Sequence, residues 1–70
     1  MSNENFTIKV DEVSDSLTYV GRAARNSATD KPVWQLMKVT ETGTITDVQW
    51  AEGRDDFKFT WDDRTSYSYS

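Results

Sequence analysis

The chain contains no cysteine and no histidine, a single proline, three glycines, and no long apolar run. Without cysteine, no disulfide can staple a domain of 70 residues, a size at which cores are thin and such staples are common. A zinc site is strongly disfavoured with neither cysteine nor histidine, because thiolates and imidazoles dominate such sites. The same inventory removes nucleophilic arrangements that rest on histidine or cysteine. Lys9, Lys31, Lys38 and Lys58 leave a serine–lysine pair conceivable, but no spacing positions one. Gly21, Gly43 and Gly53 stand singly, so no glycine-rich loop cradles a phosphate. Nothing approaches the roughly 20 consecutive apolar residues that span a bilayer. The opening MSNENFTIKV lacks the basic and apolar regions of a secretory leader. The expectation is one soluble domain over residues 1–70, made in the cytoplasm and free of membrane.

Charge is unevenly held. Eight basic side chains face twelve acidic ones, a net of −4, and seven of the twelve fall in residues 36–70. A groove tracking a phosphate backbone needs the opposite balance, so nucleic acid is disfavoured as a partner.

What is present has a period of two. Phe6-Thr7-Ile8-Lys9-Val10 alternates apolar and polar, as a half-buried strand does. Leu17-Thr18-Tyr19-Val20 is β-branched and aromatic and runs on to Ala23. Val33 to Thr40 places Trp34 and Leu36 on one face and Val33, Met37 and Val39 on the other, the mark of a central strand covered on both sides. From Thr44 to Ala51, Val48 and Trp50 share a face opposite Ile45. Phe57 to Trp61 and Tyr67 to Tyr69 alternate again. Thr40-Glu41-Thr42-Gly43-Thr44 predicts a hairpin, with Gly43 left-handed in a G1-bulge connection. Glu52-Gly53 predicts the next reversal. Pro32 ends a polar connection over 24–32 and holds Lys31 extended before the next strand. Residues 11–16 form a second polar joint; a short helical turn fits 11–17 or 24–31, and no long helix is expected. The fold class is all-β: a small antiparallel meander of four to six short strands. Because a single sheet leaves one face bare, barrel-like closure or burial against another chain is preferred.

The acidic pairs Asp55-Asp56 and Asp62-Asp63, near Glu52, invite two chemical readings. A hard cation wants six to eight oxygens, yet the spacing is not that of an EF-hand loop, and neighbours on a strand point to opposite faces. A glycosidase-like acid–base pair needs a cleft able to raise one pKa, which a domain of this size rarely builds. Solvated loops and a turn at Trp61-Asp62-Asp63-Arg64 explain the residues without either. No catalytic residue, cofactor or metal ligand is assigned, and the chain is not expected to be an enzyme.

Aromatics are abundant: three each of tryptophan, tyrosine and phenylalanine. In a small β-domain wide rings replace missing aliphatic volume. Trp34 and Trp50, on the two arms of the best hairpin, are expected in the core, packing across it. Trp61, Asp62, Asp63, Arg64, Tyr67 and Tyr69 have the composition of an interface centre, against the plainer alternative of intramolecular packing and the more specialised one of a sugar-stacking platform. Arg64 can fork onto Asp62 or another carboxylate, or stack on Trp61. The terminal SYSYS reads either as an edge strand that pairs with a neighbouring subunit or as a frayed tail.

The order Tyr19-Val20-Gly21-Arg22-Ala23, Val33-Trp34-x-Leu36, Trp50-Ala51-Glu52-Gly53, Phe57-x-x-x-Trp61-Asp62-Asp63-Arg64 and Tyr67 resembles small tailed-bacteriophage proteins that carry a VWxI…WADG…F…WDDR pattern among virion genes. The resemblance covers about residues 19–69, with Leu36 and Glu52 in place of the usual isoleucine and aspartate; residues 1–18 match nothing. It implies a virion structural or accessory protein that binds other phage structural proteins, as a homo-oligomer or docked on a repeated subunit. Head decoration, neck and tail positions all stay open. A carbohydrate- or receptor-binding module at the tail tip and a small inhibitor of a host enzyme are the alternatives.

Overall fold

The computed structural model describes residues 6–70. Five strands form an antiparallel meander: β1 (Phe6–Ser14), β2 (Leu17–Ala24), β3 (Pro32–Thr42), β4 (Ile45–Trp50) and the short β5 (Phe59–Thr60). The first four lie side by side in chain order, and β5 pairs with the first residues of β3. A 3₁₀ turn over Trp61–Asp63 follows at once. Residues 1–5, on which the expectation of a missing leader partly rests, lie outside the described residues.

All-β character and meander order match the period-two reading; closure does not. The sheet is open, not barrel-like, because the segment after β4 turns back over one face and covers it without any strand joining β1 to β4. The polar joint expected at 11–16 is mostly strand: β1 runs to Ser14 with an irregularity between Glu12 and Ser14, leaving only Asp15-Ser16 as the turn. Neither 11–17 nor 24–31 is helical.

The β3–β4 hairpin is tighter than expected. Thr42 pairs directly with Ile45 and no register shift intervenes, so the loop is Gly43-Thr44 alone. Gly43 has φ +61 and Thr44 is not left-handed, the glycine-first pattern of a two-residue turn rather than a G1 bulge. At the next reversal both Glu52 (φ 53) and Gly53 (φ 67) are left-handed. The N–H groups of Gly53 and Arg54 donate to Trp50 O and Ala51 O at 2.9 and 3.0 Å.

Register sorts the side chains onto two faces. Pairings Lys9↔Gly21↔Leu36 and Asp11↔Tyr19↔Lys38 define one face. Here sits the core: Ala23, Trp34, Leu36, Ala51, Phe59 and Trp61, with Tyr19, Tyr67 and Tyr69 packed around it. Trp34 is fully buried, and its indole N–H donates to Ala28 O at 2.9 Å, which satisfies the one polar atom the ring brings inside. Trp50 is not with it. Its register partner is Met37, on the opposite face, so the two indoles do not pack across the hairpin as expected.

Candidate binding surfaces

The six residues singled out in the sequence are brought together, as a cap closing the core face. Trp61 begins the 3₁₀ turn and is only 8% exposed. Its ring lies 5.8 Å from Trp34, tilted by 42°. Arg64 answers both structural readings given to it: its guanidinium stands 4.5 Å over the Trp61 ring, and it grips a carboxylate. That carboxylate belongs to Asp11 in β1, not to Asp62. Nε and Nη2 each reach Asp11 Oδ2 at 3.0 Å, and Nη1 donates to Trp61 O at 3.1 Å. Asp62 and Asp63 stay exposed; Asp62 accepts from Thr29 Oγ1 at 3.3 Å.

The tyrosines close the cap. Tyr67 meets Phe59 edge to face at 5.0 Å, and its hydroxyl accepts from the Thr60 N–H at 2.9 Å. Tyr69 packs 5.7 Å from Tyr19 and donates to Arg64 O at 2.7 Å. Burial is the first cause that pushes the Tyr69 phenol up to about 12; the neighbouring Tyr19 and Tyr67 add to the rise, and Arg64 opposes it. The terminal backbone is also engaged within the chain. Trp50 and Ser70 exchange N–H···O bonds of 2.9 and 3.0 Å, Glu52 N–H donates to Ser68 O at 2.6 Å, and Ala51 bridges Tyr69. The SYSYS tail is thus held to its own chain and not frayed. Trp61, Tyr67 and Tyr69 turn their rings to their own chain, which leaves Asp62 and Asp63 as the open part of the group expected to form an interface.

The apolar surface that remains open is on the other face. Val10, Val20, Met37 and Trp50 are consecutive register partners, one apolar row crossing all four long strands. The next row is Glu12, Thr18, Val39 and Val48. Ile8 and Val10 are 49% and 57% exposed and Val48 is 51% exposed, well above what strand side chains show beneath a second layer. The alternation in β3 did signal a strand apolar on both sides, but only the register shows that Ile8, Val10, Val20, Val39 and Val48 join Met37 and Trp50 on one surface.

One end of this face is walled. Residues 52–58 curl around it, where buried Gln35 donates from Nε2 to Asp55 O at 2.8 Å. Arg22 lies at the same end, its guanidinium 4.7 Å from the Phe6 ring and 5.6 Å from that of Phe57. Its Nε is buried without a hydrogen-bond partner, and no carboxylate pairs with Arg22 among the described residues. Beside the wall, Trp50, Gly53, Arg54, Asp55 and Asp56 line a shallow depression, with Arg54 held to Asp56 at 2.6 Å. Among the described residues no three histidine, cysteine, aspartate or glutamate side chains gather as a metal site, and no helix is long and apolar enough to cross a membrane.

Comparison of the chain with protein-family models, with curated proteins and with solved structures finds no match.

Proposed function

We propose that this chain is a non-catalytic assembly protein of a tailed-bacteriophage particle, acting through the open face of its sheet. The observation that carries the reading is the row Val10–Val20–Met37–Trp50. Val10 in it is exposed and Val20, Met37 and Trp50 are only half-buried, on a domain whose other face holds the core. Large apolar patches on a folded surface mark places where another surface is pressed. The resemblance of residues 19–69 to small virion proteins supplies the setting, with other phage structural proteins as partners and the particle as the location. The non-catalytic part of the reading draws on the depression beside Trp50, which is shallow and whose Asp56 is held by Arg54.

Sedimentation of the recombinant chain with purified particles, together with mass spectrometry of washed virions, tests this. Recovery in the particle at a fixed copy number is expected. A chain absent from washed virions ends the reading. Hundreds of copies would indicate the shell, and a few copies the tail.

A second reading has one specific observation behind it. Trp50 forms part of the depression that also contains Asp55 and Asp56, a ring beside carboxylates of the kind that stacks on sugars. Asp62 and Asp63 sit at the cap, away from this depression. A glycan array, with and without Ca²⁺, separates the two readings; silence in both conditions removes the carbohydrate one.

A further inference from the structure

From the distribution of charge around the open sheet face, we infer that its occupant is a second copy of this chain, stacked face to face about a two-fold axis that runs across the strands. The inference shares with the proposed function the premise that this face is an interface, but it does not need the virion setting.

Along the strands the face has an order. Arg22, with Ile8 and Gln35, lies at the walled end; next come the row Val10–Val20–Met37–Trp50 and the row Glu12–Thr18–Val39–Val48; Glu41 and Thr46 lie at the far end. A two-fold axis across the strands, placed between the two middle rows, lays each of those rows over the other in the partner copy. It also brings the Arg22 end of each copy over the partner's far end, beside Glu41 on β3, with Glu12 one row inward on β1. Both glutamates are exposed. The guanidinium beside Phe6 and Phe57 thereby gains carboxylates that it lacks among the described residues of its own chain, twice in each dimer. An axis along the strands would lay β2 on β3, so Arg22 would meet Gln35 and the glutamates would be covered without a cation. Burial of an unpaired charge is costly, so the first arrangement is favoured.

The size fits a modest dimer. Four strands about 4.8 Å apart and four rows about 6.7 Å apart give a footprint on the order of 400 Å² once side-chain width is included. Aligned sheets pack about 10 Å apart and interdigitate, so the accessible area removed exceeds this flat projection. That is about half the roughly 800 Å² per partner of an average specific interface, the range of weak, transient association.

Sedimentation equilibrium of the purified chain tests the inference, with circular dichroism verifying the fold of each variant. The unaltered chain is expected to form dimers with a dissociation constant in the micromolar range. Val48→Asp, at an exposed position in a middle row of the face on β4, and the double variant Glu12→Lys/Glu41→Lys are each expected to weaken association at least tenfold while the strands persist. Mixed with an Arg22→Glu chain, the double variant is expected to form heterodimers, because both ion contacts are then of opposite sign. If Arg22→Glu does not fold, the two other variants decide the matter. A chain that remains monomeric up to about 1 mM, or a dimer indifferent to both substitutions (as pairing through the free edge of β1 would be), overturns the inference. A monomer that still sediments with particles overturns it while leaving the assembly role in place.

Discussion

The indole of Trp61 rests on the backbone of Gly21. A β-carbon placed at Gly21 would lie 2.5 Å from Trp61 Cε3, 2.7 Å from Cζ3 and 3.0 Å from a methyl of Leu36. The cap therefore seats on the sheet through a hole that only glycine leaves. Gly21→Ala is expected to cost about 1–3 kcal/mol through overpacking, which in a domain of this size lowers Tm by roughly 4–8 °C per kcal/mol. Thermal unfolding followed by tryptophan fluorescence checks it. An unchanged Tm would show that the indole slides aside without loss.

Gly43 is a contrasting case. Its φ of +61 is left-handed, and nothing lies within 4 Å of an added β-carbon. Gly43→Ala should cost about 1–2 kcal/mol from backbone conformation alone, with no change in the environment of any tryptophan. Urea midpoints together with unaltered native fluorescence distinguish this from the packing loss at Gly21.

Arg64 and Asp11 tie the cap to β1 across 53 positions of chain. Both side chains are partly exposed, so the pair is screened and worth about 0.2–1 kcal/mol. A double-mutant cycle on Arg64→Met and Asp11→Asn should give a coupling of that size, shrinking as salt is raised. Arg64→Met should cost more than Asp11→Asn, because only the arginine also stacks on Trp61 and bonds its carbonyl.

The tail is structural. Removal of residues 67–70 deletes the Tyr67–Thr60 and Tyr69–Arg64 hydrogen bonds and the exchange between Ser70 and Trp50. It also uncovers Phe59, so a loss of several kcal/mol is expected, in line with truncation of large buried groups. In a small domain of marginal stability that is enough to populate the unfolded chain at room temperature. Circular dichroism of the truncated chain measures it, and a native spectrum with an unshifted midpoint would contradict the role assigned here.

Stability should also fall at alkaline pH. The Tyr69 phenol is raised from 10.0 to about 12. Below pH 10 it is neutral whether the chain is folded or not, and the stability it contributes is fully present. Between 10 and 12 the unfolded chain releases the proton while the folded chain retains it, so stability declines until the folded phenol ionises too. Urea unfolding across this window should show the decline, and Tyr69→Phe should flatten it. In an ultraviolet absorbance titration of the native chain, one phenol should ionise well after an ordinary tyrosine.

Local chemistry in the sequence determined the all-β class, the cores of the four long strands and their order. Alternation at Phe6–Val10 and Val33–Thr40 fixes two faces on each strand because successive side chains point apart. Gly43, Gly53 and Pro32 fix where the chain turns or extends, because they change the allowed backbone angles directly. What period two cannot say is which face of one strand joins which face of the next, since that depends on register. Only the tertiary structure decided that Trp34 lies inside while Trp50 lies outside. It also decided that Trp61, Tyr67 and Tyr69 close the chain's own core, and that the sheet stays open. The physical reason is competition for one surface: the segment after β4 is long enough to cover the Gly21–Leu36 face and is fitted to it by the space above Gly21. The row from Val10 to Trp50 is then left without a cover from within the described chain.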